Sequence, residues 1–261
     1  MILLSGKKIS EKIENEALKI VHVMRKKNIV PHLAVILVGH RADSELYVAI
    51  KKKKASELGI DFSLYRFEED ESEESVIETI NYLNDDRQIH GIIVQLPLPS
   101  RFDTEKVLKT INREKDVDDL NGLGKYSGPS SMAVVTILDE YKIETSEKNI
   151  VIVGRGRLVG QPLAKLLEKR GLNVESVDID THDLIRAIRG ADILIAATGT
   201  PGIITEELVK KGSVVISMGN EVNFDKVKNR VEAITPVTGG VGPITVALLF
   251  KNTADAAQGI R

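Results

Sequence analysis

Apolar positions alternate between helical and strand-like spacing along the first 110 residues of the chain. Ile13, Ala17, Ile20, Val21 and Met24 recur on one helix face, and Ser10 ahead of them is the expected N-cap. Pro31 then precedes an apolar run over 33–38, closed by Gly39, that reads as a strand. A helix is expected over about 42–58, stopped by Gly59, followed by a strand over 62–67. Ser72 or Ser75 opens the next helix, whose Val76, Ile77, Ile80 and Leu83 share one side. Residues 92–94 form a short buried strand and 104–109 a short helix. Strands alternating with helices imply parallel pairing and right-handed crossovers, which is the α/β class.

The pattern restarts after a loop over 121–131 rich in Gly and Ser, with a helical stretch over 132–141. Strands are expected at 150–153, 174–177, 193–196 and 214–216, with a helix over 158–168 and a last helix over about 244–257. Pro243 suits the first turn of that last helix. The sequence therefore divides into two α/β blocks with parallel sheets, the second Rossmann-like.

Composition narrows the function classes. The 261 residues are 42% hydrophobic and 28% charged, with a net charge of −2, which gives no electrostatic footprint for nucleic acid or an anionic membrane. There is no cysteine, hence no disulfide and no thiolate metal site, and the five histidines are scattered without a ligand spacing. No metal site is expected. No apolar run reaches 18 residues and the start carries no signal-peptide core, so a cytoplasmic protein without a membrane partner is expected.

Chemistry concentrates in a few short segments. Gln95 stands at the carboxyl end of the 92–94 strand, where open α/β sheets place their ligands, and Pro97 and Pro99 force the chain to leave as a stiff loop. On its own this is equally a strand exit with an incidental amide. Tyr47 and Lys51 are four apart and share a helix face, which alone describes a surface pair. The charge runs at 51–54 and 68–74 read as a solvated helix face and an acidic loop, Lys51 excepted. Gly154-Arg155-Gly156-Arg157-Leu158-Val159-Gly160 follows an apolar strand and opens a helix, a dinucleotide-like arrangement whose spacing departs from Gly-x-Gly-x-x-Gly. Ala197-Thr198-Gly199-Thr200-Pro201-Gly202 after a later strand strengthens that reading.

Taken together and in order, five segments resemble the bifunctional methylenetetrahydrofolate dehydrogenase/cyclohydrolase family. They are Ser44-Glu45-Leu46-Tyr47-Val48-Ala49-Ile50-Lys51, the 94–99 run Val-Gln-Leu-Pro-Leu-Pro, Lys115-Asp116-Val117-Asp118, the 153–162 region and Thr235-Pro236-Val237-Thr238-Gly239-Gly240-Val241-Gly242-Pro243-Ile244-Thr245. The resemblance implies a folate-binding catalytic domain of residues 1–121 plus the C-terminal helix 244–261, and a NAD(P)-binding domain of 122–243. Two chain crossings would join them, with the active site in the interdomain cleft.

It also implies roles. Lys51 is the central catalytic group, moving protons while water adds to the 5,10-methenyl cation, and Gln95 positions its amine. Tyr47 packs on the substrate's aromatic ring with Ser44 on the same face, and Asp118 binds the amino-pyrimidine edge of the pteridine. Asp116 is assigned to structure. The family usually has Gly where Asp119 stands, so a side chain and a second charge narrow that pocket or shift its electrostatics. The cofactor set is Gly154, Arg155, Gly156, Arg157, Asp178, Thr198, Gly199, Thr200, Asn220 and Thr245, with Pro243 beside the substrate. Two arginines and the family's habit point to NADP. Asp178, at the end of the block's second strand, keeps NAD as the alternative, unless it points away and caps the next helix, a role for which Asp180 competes.

The expected partners are tetrahydrofolate derivatives and a second copy of the chain in a homodimer. Two other readings stand beside this one: a dehydrogenase of another substrate on the same fold, and a non-catalytic nucleotide-binding regulator.

Overall fold

The computed structural model describes residues 1–259. In chain order the first half holds β1 (Ile2–Leu3), α1 (Lys7–Arg25), β2 (His32–Val38), α2 (Ala42–Leu58), β3 (Asp61–Phe67), α3 (Glu73–Asp85), β4 (Gly91–Val94) and α4 (Thr104–Lys109). The second half holds α5 (Pro129–Glu140), β5 (Ile150–Val153), α6 (Gly160–Lys169), β6 (Val174–Val177), α7 (Leu184–Gly190), β7 (Ile193–Ala196), β8 (Val214–Ser217), α8 (Phe224–Val227), β9 (Ala233–Ile234) and α9 (Val241–Gly259).

These elements form two compact units. One comprises Lys12–Ser127 and the chain from Val246 onward. Its sheet has the order β3-β2-β4, all parallel. From Leu33 to Val38 every residue of β2 is buried, the continuous apolar run of a central strand covered on both faces. Gly91 starts β4 because a Cβ there would lie 2.9 Å from Val117 Cγ2. Gly59 ends α2 in the left-handed region at φ 67°, and Ser72 caps α3 by accepting from Ser75 N at 3.1 Å. Phe250 from α9 is fully buried in this core with Leu33, Ile36, Ile80 and Leu108.

The other unit comprises Met1–Glu11 and Gly128–Thr245. Its six parallel strands run β1-β9-β8-β7-β5-β6. After β5 the chain builds β6 on one side and then returns to build β7 on the other. The carboxyl end of β5 is therefore a topological switch point, where such sheets bind ligands.

The compact units are bounded differently from the expected domains. Residues 1–11, expected with the first domain, belong to the second unit, because β1 pairs with β9 and Leu4 N donates to Ile234 O at 2.9 Å. The change of unit falls after Ser127 rather than Asn121, and the chain passes between the units after Glu11, Ser127 and Thr245, three crossings instead of two. The last helix starts at Val241, and residues 260–261 of the expected span lie outside the described residues. Ser10 is not an N-cap. The first turn already closes with Ser10 N on Gly6 O at 2.8 Å, because Gly6 is held by Gly239 O at 2.7 Å, and the Ser10 hydroxyl donates back to Lys7 O. Similarly, α5 begins at Pro129, three residues before the helical pattern suggested, with Pro at a position whose missing N–H costs nothing.

Candidate active site

Helix α2 and the exit from β4 bring the folate-side residues together. Lys51 projects from α2 and its Nζ donates to Gln95 Oε1 at 2.7 Å. Gln95 is fixed from both ends: its backbone N donates to Ile36 O at 2.8 Å and its Nε2 to Leu96 O at 3.0 Å. The Lys51 amine has its pKa lowered by burial, which disfavours the ammonium, while the Asp118 carboxylate opposes that shift. The Asp118 carboxyl is pushed up to about 6, first by burial and then by Asp116 and Asp119, with Lys51 pulling the other way. Amine and carboxyl thus sit within electrostatic reach of each other, and burial shifts each toward its neutral form.

Tyr47, one turn before Lys51, is 57% exposed, so its ring is free to pack on a ligand. Ser44 lies on α2 one turn further back but is buried. The neighbours of Asp118 serve the fold. Asp116 accepts from Leu120 N and Asn121 N, both at 2.9 Å, and Lys115 Nζ donates to Leu83 O and Asp86 O. Asp119 takes a left-handed conformation at φ 54°, which explains why glycine suits this position, and its Oδ1 accepts from Gly124 N at 3.2 Å.

The switch-point loop has the shape a dinucleotide needs. At Gly154, φ 116°, a Cβ would lie 2.4 Å from Ala197 O, and at Gly160 it would lie 1.8 Å from Gly154 O. Only glycine allows these approaches. Gly156 meets no atom within 4 Å, so that position tolerates a side chain. Gln161 fastens the loop, its N donating to Gly156 O and its Nε2 to Arg155 O. Arg155 donates through Nε and Nη2 to Ser176 O, leaving Nη1 3.8 Å from Asp178 Oδ2. Asp178 Oδ1 accepts from the Thr181 hydroxyl and Asp180 N, which closes the 178–181 turn; it does not cap α7, whose N-cap position is Asp183, and its other oxygen faces the arginine. Arg157 is exposed on the same loop.

Thr198 Oγ1 accepts from Thr200 N, and Gly199 follows at φ 68°. Asn220 O accepts from Gly202 N at 2.9 Å. Pro243 and Thr245 lie half-buried in the first turns of α9, where Thr245 Oγ1 donates to Val241 O. Sequence reasoning passed over Ser217, Glu221 and Thr235, three buried polar residues beside these loops. The available signal was a charged residue placed directly after the Gly219-Asn220 turn.

Two family models match the chain. The catalytic domain of tetrahydrofolate dehydrogenase/cyclohydrolase matches residues 4–118, and the NAD(P)-binding domain of the same enzymes matches residues 129–261. The chain belongs to the tetrahydrofolate dehydrogenase/cyclohydrolase family. The bifunctional protein FolD of Nautilia profundicola is 37% identical over 99% of this chain and 98% of its own length. The FolD dehydrogenase/cyclohydrolase of Campylobacter jejuni superposes with a TM-score of 0.94 at 35% identity, covering 99% of both chains. The Trypanosoma brucei enzyme, solved with NADP and an inhibitor, gives a TM-score of 0.93 at 31% identity, over 99% of this chain and 98% of that one. As a family member the chain is a two-domain α/β enzyme with a NAD(P)-binding domain, a bifunctional methylenetetrahydrofolate dehydrogenase/cyclohydrolase. Among the described residues no helix is long and apolar enough to cross a membrane.

Proposed function

We propose that Lys51, Gln95, Tyr47 and Asp118 carry both steps of this enzyme: oxidation of 5,10-methylenetetrahydrofolate with NADP, then hydrolysis of the methenyl cation to 10-formyltetrahydrofolate. The observation that carries the assignment is the 2.7 Å bond from Lys51 Nζ to Gln95 Oε1, beside a carboxyl whose charge the amine senses. Asp118 binds the pteridine's N–H and amino group as a two-point acceptor. Tyr47 offers its exposed ring to the aromatic part of the substrate. Burial lowers the Lys51 pKa, so the amine accepts a proton as water adds to the cation and returns it as the ring opens. Gln95 holds the amine in line for both transfers.

When bound, the nicotinamide ring of the cofactor takes up the hydride. The chain contributes the close-approach glycines Gly154 and Gly160 for the dinucleotide backbone and Arg155 for the adenosine phosphate. A second reading, NAD, has one observation in its favour: Asp178 directly follows β6 with its Oδ2 3.8 Å from Arg155 Nη1, and a carboxylate beside that arginine would accept from a ribose 2′-hydroxyl and repel a 2′-phosphate. We further propose a cytoplasmic homodimer. The free edge of β6, followed by Ile179 at 81% exposure, supports the dimer, and a chain without cysteine suits a reducing compartment.

The test is an absorbance assay of methylenetetrahydrofolate with NADP and with NAD, following methenyl formation and decay. Formation without decay beyond the uncatalysed rate would remove the hydrolase assignment. No formation with either cofactor would remove the dehydrogenase. Size-exclusion with light scattering tests the dimer.

A further inference from the structure

At the carboxyl ends of β8 and β9, Ser217, Glu221 and Thr235 are 4%, 3% and 2% exposed. Glu221 Oε2 accepts from the Ser217 hydroxyl at 2.6 Å and from Gly219 N at 2.7 Å. Ser217 N in turn donates to Thr235 Oγ1 at 2.8 Å, and that hydroxyl donates back to Ser217 O. A buried carboxylate is expensive unless its oxygens are well paired, and removing its partners exposes the full desolvation cost. Here the pairing is short and charge-assisted, the strong kind. A network of this quality fixes the geometry around it.

The geometry is that of three loops. Glu221 closes the 217–221 turn by holding Gly219 N. Its own backbone O accepts from Ile204 N, and Asn220 O accepts from Gly202 N, which knits the turn to the loop that follows Thr198 and Gly199. Through Ser217 the network reaches Thr235, the first residue of the segment that runs through Gly239 and Gly240 to Pro243. Gly240 allows that segment its tight fold, since a Cβ there would lie 2.7 Å from Pro236 O.

We infer that Glu221 is a positioning residue for the dinucleotide: its buried carboxylate sets the mutual placement of the 198–202, 217–221 and 235–240 segments that receive the nicotinamide half. The inference rests on the proposed function for the identity of these segments as cofactor loops. Glu221 touches neither reacting carbon, and it lies in the unit that lacks Lys51 and Gln95. Its loss therefore acts on cofactor binding and hydride transfer while sparing hydrolysis, which uses no cofactor.

The experiment compares the parent with Glu221→Ala and Glu221→Gln in the full-length chain. NADPH affinity is read by fluorescence without folate. Amide exchange is read at Gly202 and Gly219, and hydrolysis of methenyltetrahydrofolate is measured without cofactor. The expected result is a tenfold or greater rise in NADPH Kd for Glu221→Ala and faster exchange at both glycines, with hydrolysis within twofold of the parent. Glu221→Gln, which keeps an acceptor oxygen, should recover part of the loss. Unchanged Kd in both variants, or hydrolysis falling in step with Kd, would overturn the inference. A parent that binds NADPH but oxidises no methylenetetrahydrofolate would sink the proposed function instead, and Kd and exchange would still judge Glu221.

Discussion

Gln95 is tied to the chemistry by a single contact, so removing that contact gives a sharp measurement. Gln95→Leu keeps the volume and takes away the acceptor 2.7 Å from Lys51 Nζ. A hydrogen bond with one charged partner is worth about 1.5–3 kcal/mol. At about 1.4 kcal/mol per tenfold in rate, the loss corresponds to roughly 10- to 150-fold in hydrolysis. Lys51→Met removes the proton carrier itself and should cost about 10² to 10⁴. Because Gln95 works through the Lys51 amine, the two losses should not add: the double variant should hydrolyse about as slowly as Lys51→Met alone. The assay is the decay of methenyltetrahydrofolate absorbance without cofactor, corrected for the uncatalysed rate. NADPH affinity should stay at the parent value throughout, since both residues lie in the unit without the cofactor loops. Hydrolysis by Gln95→Leu at the parent rate refutes the reasoning. So does a Gln95 penalty that persists undiminished in the Lys51→Met background.

Three further outcomes follow from the titrating groups and the cofactor loop. On its proposed role Asp118 binds the pteridine as a carboxylate, and the carboxyl takes up a proton near pH 6, so folate binding should weaken about tenfold between pH 7 and pH 5. Asp118→Asn should bind weakly and without that pH dependence, and a flat profile in the parent would contradict the assignment. His90, buried with Nδ1 unpaired, has its pKa lowered from 6.5 to about 4, chiefly by burial. The unfolded chain takes the proton first, so stability present above pH 6.5 should fall by roughly 3 kcal/mol as pH drops toward 4. Urea midpoints at pH 7 and pH 4.5 should show this loss in the parent and a smaller one in His90→Leu; equal losses would remove His90 from the account. Asp178→Ser deletes the carboxylate beside Arg155, and the ratio of kcat/KM for NADP over NAD should rise by about five- to tenfold, the roughly 1 kcal/mol of two unit charges about 4 Å apart in water. No change in the ratio would place Asp178 outside the 2′ position.

The elements with strong periodicity were legible in the sequence: β2, α2 with Gly59, and β5 appear where the apolar runs and breakers predicted them. What stayed hidden depends on distant partners. β1 is two exposed residues, Ile2 and Leu3, that become a strand only because Ala233 and Ile234 lie alongside. The early start of α1 is likewise set by Gly239, far down the chain. In the site, Tyr47 and Lys51 could be paired from helical spacing alone. Their meeting with Gln95 depends on how β4 leaves the sheet beside α2, which spacing does not encode and the family resemblance supplied. Glu221 was missed because a lone glutamate after a turn reads as solvated, and only the fold reveals that Ser217 and Gly219 enclose it.

The pairing of β1 with β9 has a consequence for synthesis on the ribosome. Ile2 and Leu3 wait for a partner strand that is made some 230 residues later, a delay of roughly ten to fifty seconds at ordinary elongation rates. The other unit waits longer still, since Phe250 fills its core from the last helix. Neither unit can close before β9 and α9 have been made. No single cut in the gene yields one of them whole, and a fragment ending near residue 121 would leave an apolar hole where Phe250 belongs. Until β9 and α9 have emerged, a nascent chain built this way leaves the apolar surfaces that meet them uncovered.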